Sequence, residues 1–154
     1  MKIWRLCREV YAADSFSGEG SRIYGGRWNS PGVPMVYASS SLALAAIELF
    51  VHVEPRLMPR DLVSISAELP RGEPSLHWEG DALPPEWWTD EMRPMQRMGD
   101  AWIRGKSSLA VLAPSVPIRQ EWNVLVNPLH PLIAEVKVEP AVPFRFDERM
   151  FAVR

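Results

Sequence analysis

Proline sets the tightest limit on what this chain folds into. Fifteen of its 154 residues are proline, about twice the usual share. Each locks φ and removes a backbone donor, so it stops a helix or a central strand within a residue or two. Pro34 precedes a strand-like run at 35–39, Pro70 follows one at 61–69, and Pro114 and Pro128 follow runs at 108–113 and 122–126. Such a chain builds short segments joined by rigid turns, not a helical bundle.

The runs between the prolines can be read in order. Residues 1–9 alternate apolar and polar, with Ile3, Leu6 and Cys7 beside Lys2, Arg5 and Arg8, and predict a short strand. Residues 14–17 suit one helical turn, and 18–26 are glycine-rich enough to predict a loop. Residues 26–29 lead toward a strand, and 35–39 predict one. Ser39, Ser40 or Ser41 caps a helix over 41–53, where Leu42, Ala45, Ala46 and Leu49 recur at helical spacing. Residues 61–69 alternate and predict a strand with one buried face. Residues 70–85 are turn-rich, and 85–89 suit a helical turn. A second helix spans 90–106, with Pro94 early enough to be tolerated. Strands follow at 108–113, 122–126, 133–138 and 142–146. The expected fold class is α+β: a single compact domain over 1–154, with a mixed sheet of about six short strands and two main helices.

Composition narrows the function. Hydrophobic residues make up 47% and charged residues 23%, as in soluble globular proteins. The net charge is −2 and no dense Lys/Arg cluster appears. This argues against a nonspecific grip on nucleic acid, which needs clustered cations. One cysteine, Cys7, rules out an internal disulfide and a multi-cysteine zinc site. The first residues lack the apolar core of a signal peptide. The longest apolar run, 42–51, is broken by Glu48 and is too short to span a bilayer. A cytoplasmic location is expected, with no membrane partner.

Residues 18–52 concentrate the candidate chemistry. Arg27 follows Gly25 and Gly26. Either it forks onto a phosphate or carboxylate, or it is a structural arginine bonding loop carbonyls. Arg22 is a weaker second cation. Glu48 interrupts an apolar helix. Either Ser41, Glu48 and His52 mark the helix's solvent face, or Glu48 is a semi-buried carboxylate with a raised pKa or an arginine partner. Tyr37 is a ring platform or core. Ser115, between Pro114 and Val116-Pro117, lies at a strand end but reads equally as a turn. Asn123 and Asn127 bracket a strand, where a structural role is favoured, with Asn123 a candidate beside a ligand. His52, His77 and His130 lack metal-site spacing, and no metal is expected. There is no P-loop, no G-x-G-x-x-G and no nucleophile elbow. Trp78, Trp87 and Trp88 form either an interface or core.

Five motifs in order resemble a known family: Gly25-Gly26-Arg27-Trp28-Asn29; Val36-Tyr37-Ala38-Ser39; Leu42-Ala43-x-Ala45-x-x-Glu48; Trp122-Asn123-Val124-Leu125-Val126-Asn127-Pro128-x-His130-Pro131; and Phe146-Asp147-x-Arg149-Met150-Phe151. Each alone is weak, but the ordered set is specific and spans nearly the whole chain. It resembles the RES domain, the toxin of bacterial RES–Xre toxin–antitoxin modules. The resemblance implies a fold similar to ADP-ribosyltransferase toxins and a toxin that depletes NAD⁺ by hydrolysis or phosphorolysis. It places the family's arginine on Arg27, its tyrosine on Tyr37 and its glutamate on Glu48. It sets Ser115 and Asn123 beside the substrate and Arg22 there more loosely. Residues 70–88 match no part of the family pattern.

On that resemblance NAD⁺ is the substrate, no prosthetic group is required, and an Xre-type DNA-binding antitoxin is the partner. A homodimer is left open. A same-fold alternative is a protein ADP-ribosyltransferase toxin. A different class of alternative is a catalytically silent module that only pairs with a DNA-binding antitoxin. The acceptor of the ADP-ribose is not legible in the residues.

Overall fold

The structure, a computed structural model, describes residues 1–151. The strands are β1 (Lys2–Arg8), β2 (Val36–Ser39), β3 (Leu62–Glu68), β4 (Leu76–His77), β5 (Ala110–Pro114), β6 (Trp122–Val126), β7 (Lys137–Val138) and β8 (Val142–Pro143). Among the described residues these eight form one sheet in the order β4-β5-β6-β2-β1-β3-β7, with β8 also beside β3. The β4–β5 pair is parallel and the others are antiparallel. The helices are α1 (Glu19–Tyr24), α2 (Leu42–His52) and α3 (Arg93–Gly105). The fold is α+β, as expected; β4, two residues long in the stretch read as turns, is the strand the sequence did not suggest.

The sheet buries both faces, which explains its unbroken apolar runs. Ala110, Leu112, Val124 and Val126 join Ile3, Val36 and Ala67 in one core. Their alternate neighbours Val111, Ala113 and Leu125 meet Trp28, Met95 and Trp102 in the other. A two-residue period covered on both sides reads as continuous hydrophobicity. The same holds for β3, buried from Leu62 to Ala67, where alternation had predicted one buried face. Ser64 and Ser66 are buried with the rest, and Ser64 Oγ donates to the Val142 carbonyl at 3.4 Å.

Local chemistry sets the helices. Ser41 caps α2 as its Oγ accepts from the Leu44 amide at 3.1 Å. Pro94 stands in the first turn of α3, where its missing N–H costs nothing. Met95, Gly99, Trp102 and Ile103 turn the buried side of α3 to the second core. Trp78 and Trp87 belong to that core, with Trp78 packed between Trp28 and Trp102 at 5.0 and 5.6 Å. Trp88 stays exposed under the guanidinium of Arg119. Residues 70–88 therefore extend the sheet through β4 and seal one core.

Three segments differ from their sequence reading. The 18–26 loop contains α1, anchored by Ser21, whose Oγ donates to the Met35 carbonyl at 2.6 Å. The 133–138 strand is mostly a 3₁₀ turn, Pro131–Glu135. There His130 Nδ1 accepts from the Leu132 amide at 3.2 Å and Pro131 opens the turn, so capping chemistry overrides the alternation. Likewise only Val142–Pro143 of the 142–146 run pairs with β3. Among the described residues no helix is long and apolar enough to cross a membrane.

Candidate active site

The cleft lies where β1 and β2 part. The two strands share one registered pair, Trp4 with Ser39. Beyond it the Tyr37 carbonyl accepts from Arg5 Nη1 at 2.6 Å, in place of a strand amide. The cleft beside this gap measures 760 Å³ and takes walls from α1, the 25–28 turn, β2, α2 and the start of β6. That size lies within the roughly 300–1,000 Å³ of small-molecule sites.

Glu48 stands on the α2 wall, half-buried. Asn123 Nδ2 donates to its Oε1. Asn123 is itself oriented by Ser39, whose hydroxyl donates to Asn123 Oδ1 at 2.9 Å. Ser39 and Asn123 face each other directly across the β2–β6 ladder, so two strands fix the amide that fixes the carboxylate. The solvent-face reading of Glu48 does not describe this placement. Ser39, read in the sequence as a possible cap and as the end of the Val36–Ser39 motif, was not singled out as a site residue there.

Tyr37 lines the cleft from β2. Its hydroxyl donates to Asn29 Oδ1 at 2.7 Å and accepts from the Trp28 amide at 3.0 Å. Burial, the main cause, pushes its phenol above the ordinary tyrosine range, so the group stays protonated and keeps donating. The ring lines the cleft while the oxygen pins the turn that carries Arg27. Tyr37→Phe keeps the ring but strands the Trp28 amide. We expect a loss of about 1–3 kcal/mol in urea unfolding; unchanged stability would show that water takes the bond at no cost.

The turn is clamped from three sides. Asn29, fully buried, donates from Nδ2 to the Ser21 and Val33 carbonyls at 2.9 and 2.7 Å. Gln96 Nε2 donates to the Gly26 carbonyl at 3.0 Å, and Asp100 Oδ1 accepts from the Ser30 amide at 2.9 Å. Arg27 lines the cleft, but its Nη1 donates to the Trp87 and Thr89 carbonyls at 2.9 and 2.6 Å. One arm of its fork thus holds the neighbouring wall, as in the structural reading.

Two candidates stand elsewhere. Arg22 is exposed and paired with Glu19 at 2.6 Å, outside the cleft lining, because α1 turns it outward. Ser115 is fully buried. Its Oγ accepts from the Ile118 amide at 3.2 Å, fastening the turn after β5, while its neighbours Pro114 and Val116 line the cleft instead. Sequence reading also passed over Arg5. Arg5 is half-buried in the cleft lining; desolvation of its guanidinium lowers its pKa, and Nε has no partner. Among the described residues no carboxylate pairs with it. The signal was present: Arg5 lies two residues from fully buried Ile3, on the same side of its strand.

The far end of the chain braces this wall. Phe50, on α2, packs against Phe146 and Phe151 at 5.8 and 5.6 Å. The last of the sequence motifs thus holds the helix that carries Glu48. Among the described residues no group of three or more His, Cys, Asp or Glu side chains is placed to hold a metal ion.

The RES domain family model matches residues 2–147. The chain belongs to the RES domain family. Curated relatives agree over nearly full length. A Sphingobium protein called Prs ADP-ribosylating toxin is 34% identical, with 96% of this chain and 94% of the relative covered. Proteins called Toxin Res from Photorhabdus laumondii and Pseudomonas putida are 31% and 32% identical, covering 97% and 98% of this chain and 97% and 100% of their own. Among solved structures, a chain of the Mycobacterium tuberculosis MbcT–MbcA toxin–antitoxin complex superposes with TM-score 0.68 at 19% identity, over 93% of this RES domain and 83% of that chain. That likeness shows the shared fold.

Proposed function

We propose that this RES domain is the toxin of a toxin–antitoxin module and that its cleft cleaves NAD⁺ at the nicotinamide–ribose bond. The observation that carries the reading is the Glu48 carboxylate, held by Asn123 and Ser39 in a cleft that also gathers Tyr37, Arg27 and Arg5. When the C1′–N bond breaks, its electron pair leaves with nicotinamide and C1′ becomes oxocarbenium-like. Glu48 faces that positive charge and accepts from a ribose hydroxyl. Nicotinamide departs neutral, so no strong acid is needed. Tyr37 offers a ring face to the nicotinamide. Arg27 and the half-buried charge of Arg5 favour the pyrophosphate. Arg22 and Ser115 act away from the substrate, Arg22 on the surface and Ser115 as a turn fastener.

Arg27→Lys keeps the charge and loses both the fork and its hold on the 87–89 wall. Apparent affinity for NAD⁺ should weaken about tenfold, near 1.4 kcal/mol. An unchanged KM would remove Arg27 from the phosphate role.

A specific observation keeps a second reading open. The Sphingobium relative bears the name of an ADP-ribosylating toxin, and a protein acceptor would use the same cleavage step. The antitoxin is proposed from the toxin names of the relatives and from the complex that contains the structural neighbour. An Xre-type DNA-binding protein and cytoplasmic action complete the proposal. The test is the NAD⁺ level of cells expressing the chain alone and with its genomic neighbour. Expression alone should deplete NAD⁺ and stop growth, and co-expression should restore both. Growth arrest at full NAD⁺ would favour the protein-modifying reading.

A further inference from the structure

α2 carries a second chemical group into the cleft. Ala45, Glu48 and His52 all line it. They recur at the three- and four-residue spacing that places side chains on one helix face. His52 is the last residue of α2, exposed to solvent, and no hydrogen bond to its ring is formed within the protein among the described residues. The structural alternative is a cation placed to meet the helix C-terminus. Its place in the cleft, one turn from the carboxylate that faces C1′, argues for more. Glu48 stabilises a positive carbon and has no reason to take a proton. An attacking water has one to lose.

We infer that His52 is the general base that prepares the acceptor water, a role that rests on the proposed NAD⁺ cleavage. The C1′–N bond breaks and nicotinamide takes the electron pair. The water oxygen bonds to C1′, its proton passes to the imidazole, and the imidazolium releases it to solvent. ADP-ribose, nicotinamide and one proton result, with no other reactant. The charged and titratable groups sharing the cleft are Glu48 on α2 itself, Arg5 on β1, Arg27 on the turn, Tyr37 on β2 and Tyr24 on α1. Beside them, His52 is the one imidazole in the cleft lining and is exposed to solvent, and imidazole is the side chain used most often as a general base.

The step separates acceptors. Water needs a base, whereas dianionic phosphate attacks without losing a proton. The experiment follows nicotinamide release by the purified full chain, wild type and His52→Asn, across pH and with or without inorganic phosphate. We expect His52→Asn to lower kcat for hydrolysis about 10²-fold at unchanged KM. The loss of rate that the wild type shows as an imidazole takes up its proton should flatten. Added phosphate should recover part of the turnover as ADP-ribose phosphate. Wild-type kcat and pH profile in His52→Asn would overturn the role while leaving NAD⁺ cleavage intact. A rise in KM alone, with the pH profile kept, would also overturn it. So would a wild type that turns over only with phosphate or a protein acceptor. Absence of nicotinamide release by the wild type would overturn the cleavage itself.

Discussion

Glu48→Gln should fold normally and release nicotinamide from NAD⁺ at least about 10²-fold more slowly than the wild type. The reason lies in the contact that holds it. Asn123 Nδ2 donates to Glu48 Oε1, and a glutamine carbonyl accepts the same bond. Helix, orientation and cleft are retained, and only the negative charge proposed to face C1′ is lost. An unchanged melting temperature with collapsed turnover is therefore the expected pair of results. Wild-type turnover in Glu48→Gln would remove the carboxylate from the chemistry. Asn123→Ala makes a useful companion: it leaves the charge but frees the carboxylate, so its loss should be smaller than that of Glu48→Gln.

Gly99→Ala should be the most damaging single-methyl change in the fold. A Cβ at Gly99 would lie 1.7 Å from the Trp28 carbonyl oxygen and 2.8 Å from its carbon. These are backbone atoms, so no rotamer relieves the clash. Either α3 or the 26–30 turn must retreat, and the bonds from Gln96 to Gly26 and from Ser30 to Asp100 go with it. Overpacking and the lost bonds together cost about 3 kcal/mol, a fall in Tm of roughly 10 °C for a chain of this size. Activity should fall as well, since the same turn presents Arg27. Gly105→Ala, in the same helix with nothing within 4 Å of the added carbon, should be neutral or slightly stabilising. Equal effects at both positions would mean that α3 is not seated on the turn.

Much of this architecture was legible in the sequence because it is local. Proline placement marked the strand ends, Ser41 and the apolar spacing marked α2, and the ordered motifs marked the family. Two elements were not legible. α1 forms in a glycine-rich stretch because Ser21 is tied to the distant Met35, and the 131–135 segment turns because a local cap, His130 accepting from the Leu132 amide, outweighs the alternation. The site divides the same way. Glu48, Tyr37, Arg27 and Asn123 all line the cleft. Arg22 and Ser115 do not, since nothing in their immediate neighbours encodes which side of α1 or of the β5 turn faces it. Ser39 and Arg5 were not read as cleft residues because their meaning is set by register. Ser39 gains a role only opposite Asn123, and Arg5 only where β1 leaves β2.

The most direct measurement is the fate of NAD⁺ labelled separately in nicotinamide and in adenine, incubated with the purified chain. Cleavage in this cleft predicts free labelled nicotinamide from the wild type and almost none from Glu48→Gln, with the adenine label recovered as a small molecule. Adenine label on protein would redirect the account to a transferase. Intact NAD⁺ at high concentrations of the wild-type chain would contradict it.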